Sequence, residues 1–98
     1  FREPDEATRY EIWKSVFPDE APLDEEVDLR LLAHLFEFTG AVIKNIALAA
    51  AYLAAERKAS ISYVDILKAT KREMQKANLI LTKEKLGNLG YLFNKIVQ

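Results

Sequence analysis

The chain has 98 residues, of which 50% are hydrophobic and 30% are charged. This composition is typical of one soluble globular domain and excludes an intrinsically disordered chain. Lysine and arginine total 14 against 15 aspartates and glutamates, so the net charge of -1 draws the chain as a whole neither to nucleic acid nor to an acidic membrane. The absence of cysteine excludes disulfides and cysteine metal sites and fits a cytosolic protein.

The first two predicted helices are marked by their capping residues. Pro4 and the two acids that follow it are typical of a helix start, and they predict a first helix from about Asp5 to Phe17. Asp28 is the predicted N-cap of a short second helix, Leu29 to Phe36. The apolar face of the first helix consists of Ile12, Trp13, Val16 and Phe17.

The third predicted helix is the longest, running from Gly40 to Lys58 with Thr39 as its N-cap. Six alanines between Ala47 and Ala55 leave this helix thin on nearly every side, which lets neighbouring helices approach closely, so we expect it to be central and surrounded by the others. A fourth helix, from Tyr63 to about Ala77, is predicted with Ser62 as its cap. The residues between these two helices, 59–63, are the one place where a short strand is possible.

A fifth helix, capped by Thr82, is predicted from an apolar face formed by Leu86, Leu89, Phe93 and Ile96. The sequence therefore predicts an all-α, four- to five-helix bundle. We expect a single domain over residues 1–98, with a core over residues 1–77 and a C-terminal extension over residues 78–98. Because the chain opens with Phe1 rather than Met, we also expect it to be a piece of a longer protein.

A search for catalytic chemistry finds little. His34 is the single histidine and has no cysteine or second histidine to complete a zinc site, and no glycine-rich phosphate loop is present. The predicted fourth helix carries a basic face, which is either a solvated surface or a contact for an acidic partner or nucleic acid. That face consists of Lys68, Lys71, Arg72 and Lys76.

One stretch has a more specific pattern: Phe-Thr-Gly-Ala-Val-Ile-Lys-Asn-Ile at residues 38–46, followed by three alanines at 49–51. This stretch resembles the start of the long lid helix in AAA+ ATPases, where an aromatic residue, a serine or threonine and a Gly-Ala pair precede an aliphatic and then an alanine-rich run. Three further segments match the family in order. Residues 1–13 resemble the connection into its first lid helix, residues 27–33 resemble its second helix, and residues 61–69 resemble the start of its fourth. The length and the sequence of the chain are similar to those of the lid in bacterial ATPases that accompany contractile injection machines.

The resemblance implies a C-terminal lid that closes over ATP, with the phosphates and Mg held by an upstream α/β domain that this chain lacks. It implies contacts between neighbouring subunits of a cytoplasmic homo-hexamer that remodels a protein substrate, with no membrane or nucleic-acid partner. Gly40 and Ala41 would contact adenosine, and Lys44 is a candidate for reaching phosphate. The parent protein would be an ATPase, whereas the fragment alone would hydrolyse nothing.

The chain departs from the family pattern at two places. Val42 occupies the position where many members have an arginine that senses the γ-phosphate, and Glu37 replaces the usual glycine before the aromatic residue. For Gly40, the alternative interpretation is that it only permits close helix packing or a tight turn. The rival function is a helical nucleic-acid- or protein-binding adaptor that uses the basic fourth helix, and a third is a purely structural oligomerisation bundle.

Overall fold

A computed structural model describes residues 4–76, and this part of the chain is all-helical, as the sequence predicts. The predicted fifth helix and the extension over residues 78–98 lie outside the described residues. Across residues 4–76, no helix combines the length and apolar character needed to cross a membrane. The four helices are α1 (Glu6–Val16), α2 (Leu29–Leu35), α3 (Gly40–Arg57) and α4 (Tyr63–Lys76).

Each helix begins at a side chain that replaces a missing backbone acceptor. Asp5, Asp28, Thr39 and Ser62 each accept a hydrogen bond from the backbone N–H three residues later, over 2.8–3.4 Å. The first N–H groups of a helix have no acceptor within the helix, so such caps fix where it starts. The predictions of Asp28, Thr39 and Ser62 as caps are confirmed. At the other end, α3 stops where Lys58 adopts a left-handed backbone conformation, with φ of 56°.

The alanine-rich α3 packs between α1 and α4, while α2 packs mainly on α1. Ala47, Ala50 and Ala54 are buried, and their small side chains allow the close approach that the composition predicts. Within residues 4–76, α3 is central between α1 and α4 as expected, but it is not surrounded, because Leu48 and Tyr52 are 49% and 66% exposed. In the part of the chain that the structure describes, α1 and α4 make the main contacts with α3, and the side of α3 that carries Leu48 and Tyr52 is open to solvent.

The possible strand over residues 59–63 is not formed. Ile61 instead makes an isolated parallel bridge with Leu23. The backbone N–H of Ile61 donates to the carbonyl of Pro22, and the N–H of Asp24 donates to the carbonyl of Ile61, both over 2.8 Å. This bridge ties the loop between α1 and α2 to the turn between α3 and α4, and Ile61 is fully buried beneath it.

Arg9 lies almost entirely inside the protein, with 7% of its surface exposed. Its Nε donates to the carbonyl of Ala33 over 2.8 Å, and its Nη1 donates to the carbonyl of Pro4 over 2.9 Å. Ala33 lies in the last turn of α2, where carbonyl oxygens lack partners within the helix and the helix dipole favours a cation. Arg9 therefore joins α1 to the C-terminal end of α2.

The turn between α3 and α4 is held by a second arginine. Arg57 forms a two-pronged ion pair with Asp65, whose side chain is 4% exposed. The same carboxylate accepts hydrogen bonds from the backbone N–H and the hydroxyl of Ser62, and Arg57 also donates to the carbonyl of Ser60. Asp65 lies in the first turn of α4, and its carboxylate connects α4 to α3.

Candidate functional site at the start of the third helix

The start of α3 presents unused hydrogen-bond donors. Thr39 caps the helix by accepting from the N–H of Val42 over 3.3 Å, and its carbonyl accepts from Ile43 over 3.0 Å. The N–H groups of Gly40 and Ala41, at the first two positions of the helix, have no acceptor among residues 4–76. They lie at the N-terminal end of an 18-residue helix, where the positive end of the helix dipole favours a hydrogen-bond acceptor of a ligand.

Gly40 lies where α3 approaches α1. A Cβ atom built on Gly40 would be 3.6 Å from Cδ1 of Ile12, an ordinary van der Waals contact. The position of the absent side chain is therefore directed at the bundle rather than at solvent. Because the contact is an ordinary one, an alanine would also fit here, so packing against α1 does not by itself require a glycine. The backbone N–H of Gly40 is the group that could meet a ligand.

Ala41 and Lys44 are both exposed, and they lie three residues apart, on the same side of α3. Val42 and Ile43 instead contribute to the core, Val42 partly and Ile43 completely. The three residues predicted from the resemblance thus separate into two groups: Ala41 and Lys44 share an open surface, and Gly40 is half-buried beside α1.

The segment before the helix supplies an aromatic surface. Phe36 and Phe38 stack with ring centroids 5.5 Å apart and ring planes 9° from parallel. Phe36 is 2% exposed and Ala33 is fully buried, so both belong to the chain's own core. Phe38 is partly exposed, one residue before the cap Thr39, and it is therefore the ring of this segment that an aromatic ligand could reach.

Several charged groups of the described chain take part in helix capping and in contacts between helices. No group of three or more His, Asp or Glu side chains among residues 4–76 is arranged to hold a metal ion. His34 is exposed, and its Nδ1 lies 2.9 Å from Oε1 of Glu6, which links α2 to α1. Hydrogen bonding from the backbone N–H of Thr8 lowers the pKa of the Asp5 carboxyl, as expected for a helix cap.

Sequence reasoning did not identify Ile12 as the neighbour of Gly40, nor the stacking of Phe36 on Phe38. The first is a contact between separate helices that no local spacing encodes. The second could have been suspected, because two aromatic residues separated by one residue in an extended segment lie on the same side of the chain. Phe38 and Ala41, rather than Gly40, are therefore the residues of this segment whose side chains a ligand could contact.

Comparison with known proteins adds no independent assignment: no protein-family model matches the chain, and no curated protein is significantly similar to it in sequence. The site is therefore described by its geometry alone. It has an aromatic ring, two free backbone N–H donors, an exposed small residue and a lysine one helical turn further on.

Proposed function

We propose that the chain is the C-terminal helical lid of an AAA+ ATPase, closing over ATP that an upstream α/β domain binds. The observation that carries the proposal is the start of α3, where the free N–H groups of Gly40 and Ala41 closely follow the partly exposed Phe38 along the chain. An adenine base needs a flat apolar contact and hydrogen-bond donors for its ring nitrogens. Both are present within four consecutive residues.

The order of the helices supports the same proposal. The motif residues of the resemblance fall at the helix starts that they would occupy in a lid: Asp28 caps α2, Thr39 caps α3 and Ser62 caps α4. Arg9, another residue of the motif, joins α1 to α2. A lid must move as one body to transmit nucleotide state, and these ties make the four helices one packed unit.

In this proposal the chain contributes binding surface but no catalytic group. ATP and Mg would be held chiefly by the upstream domain, which would also supply the residues that hydrolyse the γ-phosphate. Val42 is partly packed into the core and cannot contact phosphate. Lys44 is the exposed cation nearest to the helix start along α3, so it is the residue that we assign to a phosphate contact.

The proposal extends to assembly and location. As a lid, the chain would contact its upstream domain and the neighbouring subunits of a cytoplasmic homo-hexamer. Rotation of the packed helices would then carry the nucleotide state of one subunit to the next. The open face of α3, with Leu48 and Tyr52, offers an apolar surface for one of these contacts.

The chain itself allows a direct test. We expect ¹⁵N-labelled chain titrated with ATP, and separately with adenosine, to show shifts at the amides of Gly40, Ala41 and Phe38. The dissociation constant should be in the millimolar range, corresponding to about 4 kcal/mol, because the phosphate contacts are missing.

Tripolyphosphate without the base serves as the control ligand. Equal shifts with tripolyphosphate and ATP, or shifts confined to α4, would contradict a base-binding helix start. A micromolar constant for the isolated chain would also contradict the proposal, because it would require a complete nucleotide site within these residues.

A further inference from the structure

A groove between α3 and α4 lies away from the candidate nucleotide surface at the start of α3. Its volume is about 280 Å³, and Ala49 and Leu53 of α3 with Ala69 of α4 form its apolar floor. Ala49 is nine residues beyond Gly40, or about 13 Å along the helix, so the groove is separate from the candidate nucleotide surface. Its polar wall consists of Lys68, Lys71, Arg72 and Gln75.

The wall of this groove is basic and unneutralised. Lys68, Lys71 and Arg72 take part in none of the ion pairs found among residues 4–76, although four such pairs occur there. No carboxylate of the described chain lines the groove. Cations left unpaired beside an apolar floor make a surface that complements carboxylates next to apolar side chains.

The spacing of the wall residues indicates the shape of the partner. Lys68, Arg72 and Gln75 follow one another at steps of four and three residues, so they form a stripe about 10 Å long on one side of α4. Each step along this stripe is about 6 Å, which is also the separation of carboxylates on consecutive turns of a partner helix. The small side chains of Ala49 and Ala69 on the floor let a second helix approach closely.

From these observations we propose that the α3–α4 groove binds an acidic amphipathic helix of another protein or domain. The partner would place small or aliphatic residues on Ala49 and Leu53, the two floor residues that are partly exposed. Its glutamates or aspartates, one helical turn apart, would pair with Lys68 and Arg72. The proposal concerns a surface distinct from the nucleotide site and stands independently of the proposed lid function.

Charge argues against two other occupants. Residues 77–98 contain three lysines against one glutamate, so the net charge of this segment does not complement the basic wall. Nucleic acid would be attracted to the cations, but the groove offers it an aliphatic floor with no aromatic side chain for base stacking. An acidic helix matches both the wall and the floor.

The test uses the full 98-residue chain and a fluorescein-labelled designed helix of about 18 residues, long enough to be partly helical alone. The helix carries leucine and alanine on one face and glutamates one turn apart beside it. We expect anisotropy titrations to show saturable binding that weakens as salt is raised. Lys68→Glu and Arg72→Glu should each weaken binding about tenfold, since attraction becomes repulsion.

Arg30→Glu is the matched control, because it makes the same change of charge on α2 and should alter binding less than about twofold. Leu53→Asn should weaken binding without changing charge, which separates docking on the floor from general attraction to a positive surface. Thermal unfolding of each variant establishes that it is folded. Equal weakening by Arg30→Glu, no effect of Leu53→Asn in a folded protein, or tighter binding of a DNA duplex than of the acidic helix would each overturn the proposal.

Discussion

Two junctions between helices are each held by an arginine, but the two arginines bind different partners. Arg9 is buried and donates to two backbone carbonyls, with no carboxylate in contact, where α1 meets α2. Arg57 is half exposed and pairs with the buried carboxylate of Asp65, where α3 meets α4. The α1–α2 junction therefore depends on peptide dipoles at a helix end. The α3–α4 junction depends on an ion pair, and without Arg57 its buried carboxylate would lose its counter-charge.

The largest effect on stability is expected at the buried junction. Arg9→Met keeps much of the side-chain volume but removes the donor to Ala33, leaving a buried carbonyl without a partner. We expect the free energy of unfolding to fall by about 2 kcal/mol. Arg72→Met, at an exposed arginine of α4 that takes part in none of the ion pairs of residues 4–76, should change it by less than about 0.5 kcal/mol. Urea unfolding followed by circular dichroism measures both, and equal losses would show that Arg9 has no special role.

A double-mutant cycle separates the ion pair from its surroundings at the other junction. Arg57→Gln alone should destabilise the protein by about 1.5 kcal/mol, because the Asp65 carboxylate would remain buried with only Ser62 as its donor. After Asp65→Asn, the same Arg57 substitution should cost much less. A coupling energy near zero in this cycle would mean that the two side chains contribute independently.

The cap of α3 is expected to have a smaller effect, of about 1 kcal/mol on Thr39→Ala, because one helix-terminal N–H loses its acceptor. Thr39→Ser retains the hydroxyl and should be nearly neutral. Hydrogen exchange at the Val42 amide is the local measurement, since this N–H donates to the Thr39 hydroxyl. Exchange at Val42 that is unchanged in Thr39→Ala would show that the cap does not hold the helix start.

The smallest effect is a pH dependence at the first turn of α1. The hydrogen bond from Thr8 lowers the pKa of Asp5 below its ordinary value of 3.8, so the folded state favours the charged carboxylate. Its stabilisation is present above pH 3.8 and is lost as the pH falls through the lower pKa of the folded state. Asp5→Asn still caps the helix but should abolish this part of the pH dependence. An identical acid-unfolding profile for both proteins would contradict the assignment.

The sequence was sufficient for features that depend on neighbouring residues and insufficient for those that depend on packing between helices. Caps at Asp28 and Thr39 follow from side-chain chemistry within one helical turn, and the structure has them where they were predicted. The pairing of Arg57 with Asp65 and the contact position of Gly40 against Ile12 arise only when two helices meet. The same limit explains the exposed face of α3, since its alanine content shows that helices can approach but not how many do.

The candidate site divides along the same line. Gly40 and Ala41 were predicted together from one motif, but Ala41 presents a side chain to solvent, whereas a side chain added at Gly40 would be directed at Ile12 of α1. A side chain larger than alanine at Gly40 would press on Ile12 of α1 as well as alter any ligand contact. A substitution at Ala41 can test the ligand surface without altering the core.

The most direct test of the proposed lid is therefore the adenosine affinity of the Ala41→Leu chain, measured by the same amide titration and accompanied by thermal unfolding. Leucine is a good helix former, so the variant should unfold within a few degrees of the unsubstituted chain. We predict that its side chain covers the helix start and weakens adenosine binding at least about fivefold, while Ala55→Leu, at the far end of α3, leaves affinity unchanged. Undiminished adenosine affinity in a folded Ala41→Leu chain would contradict the assignment of this helix start to nucleotide.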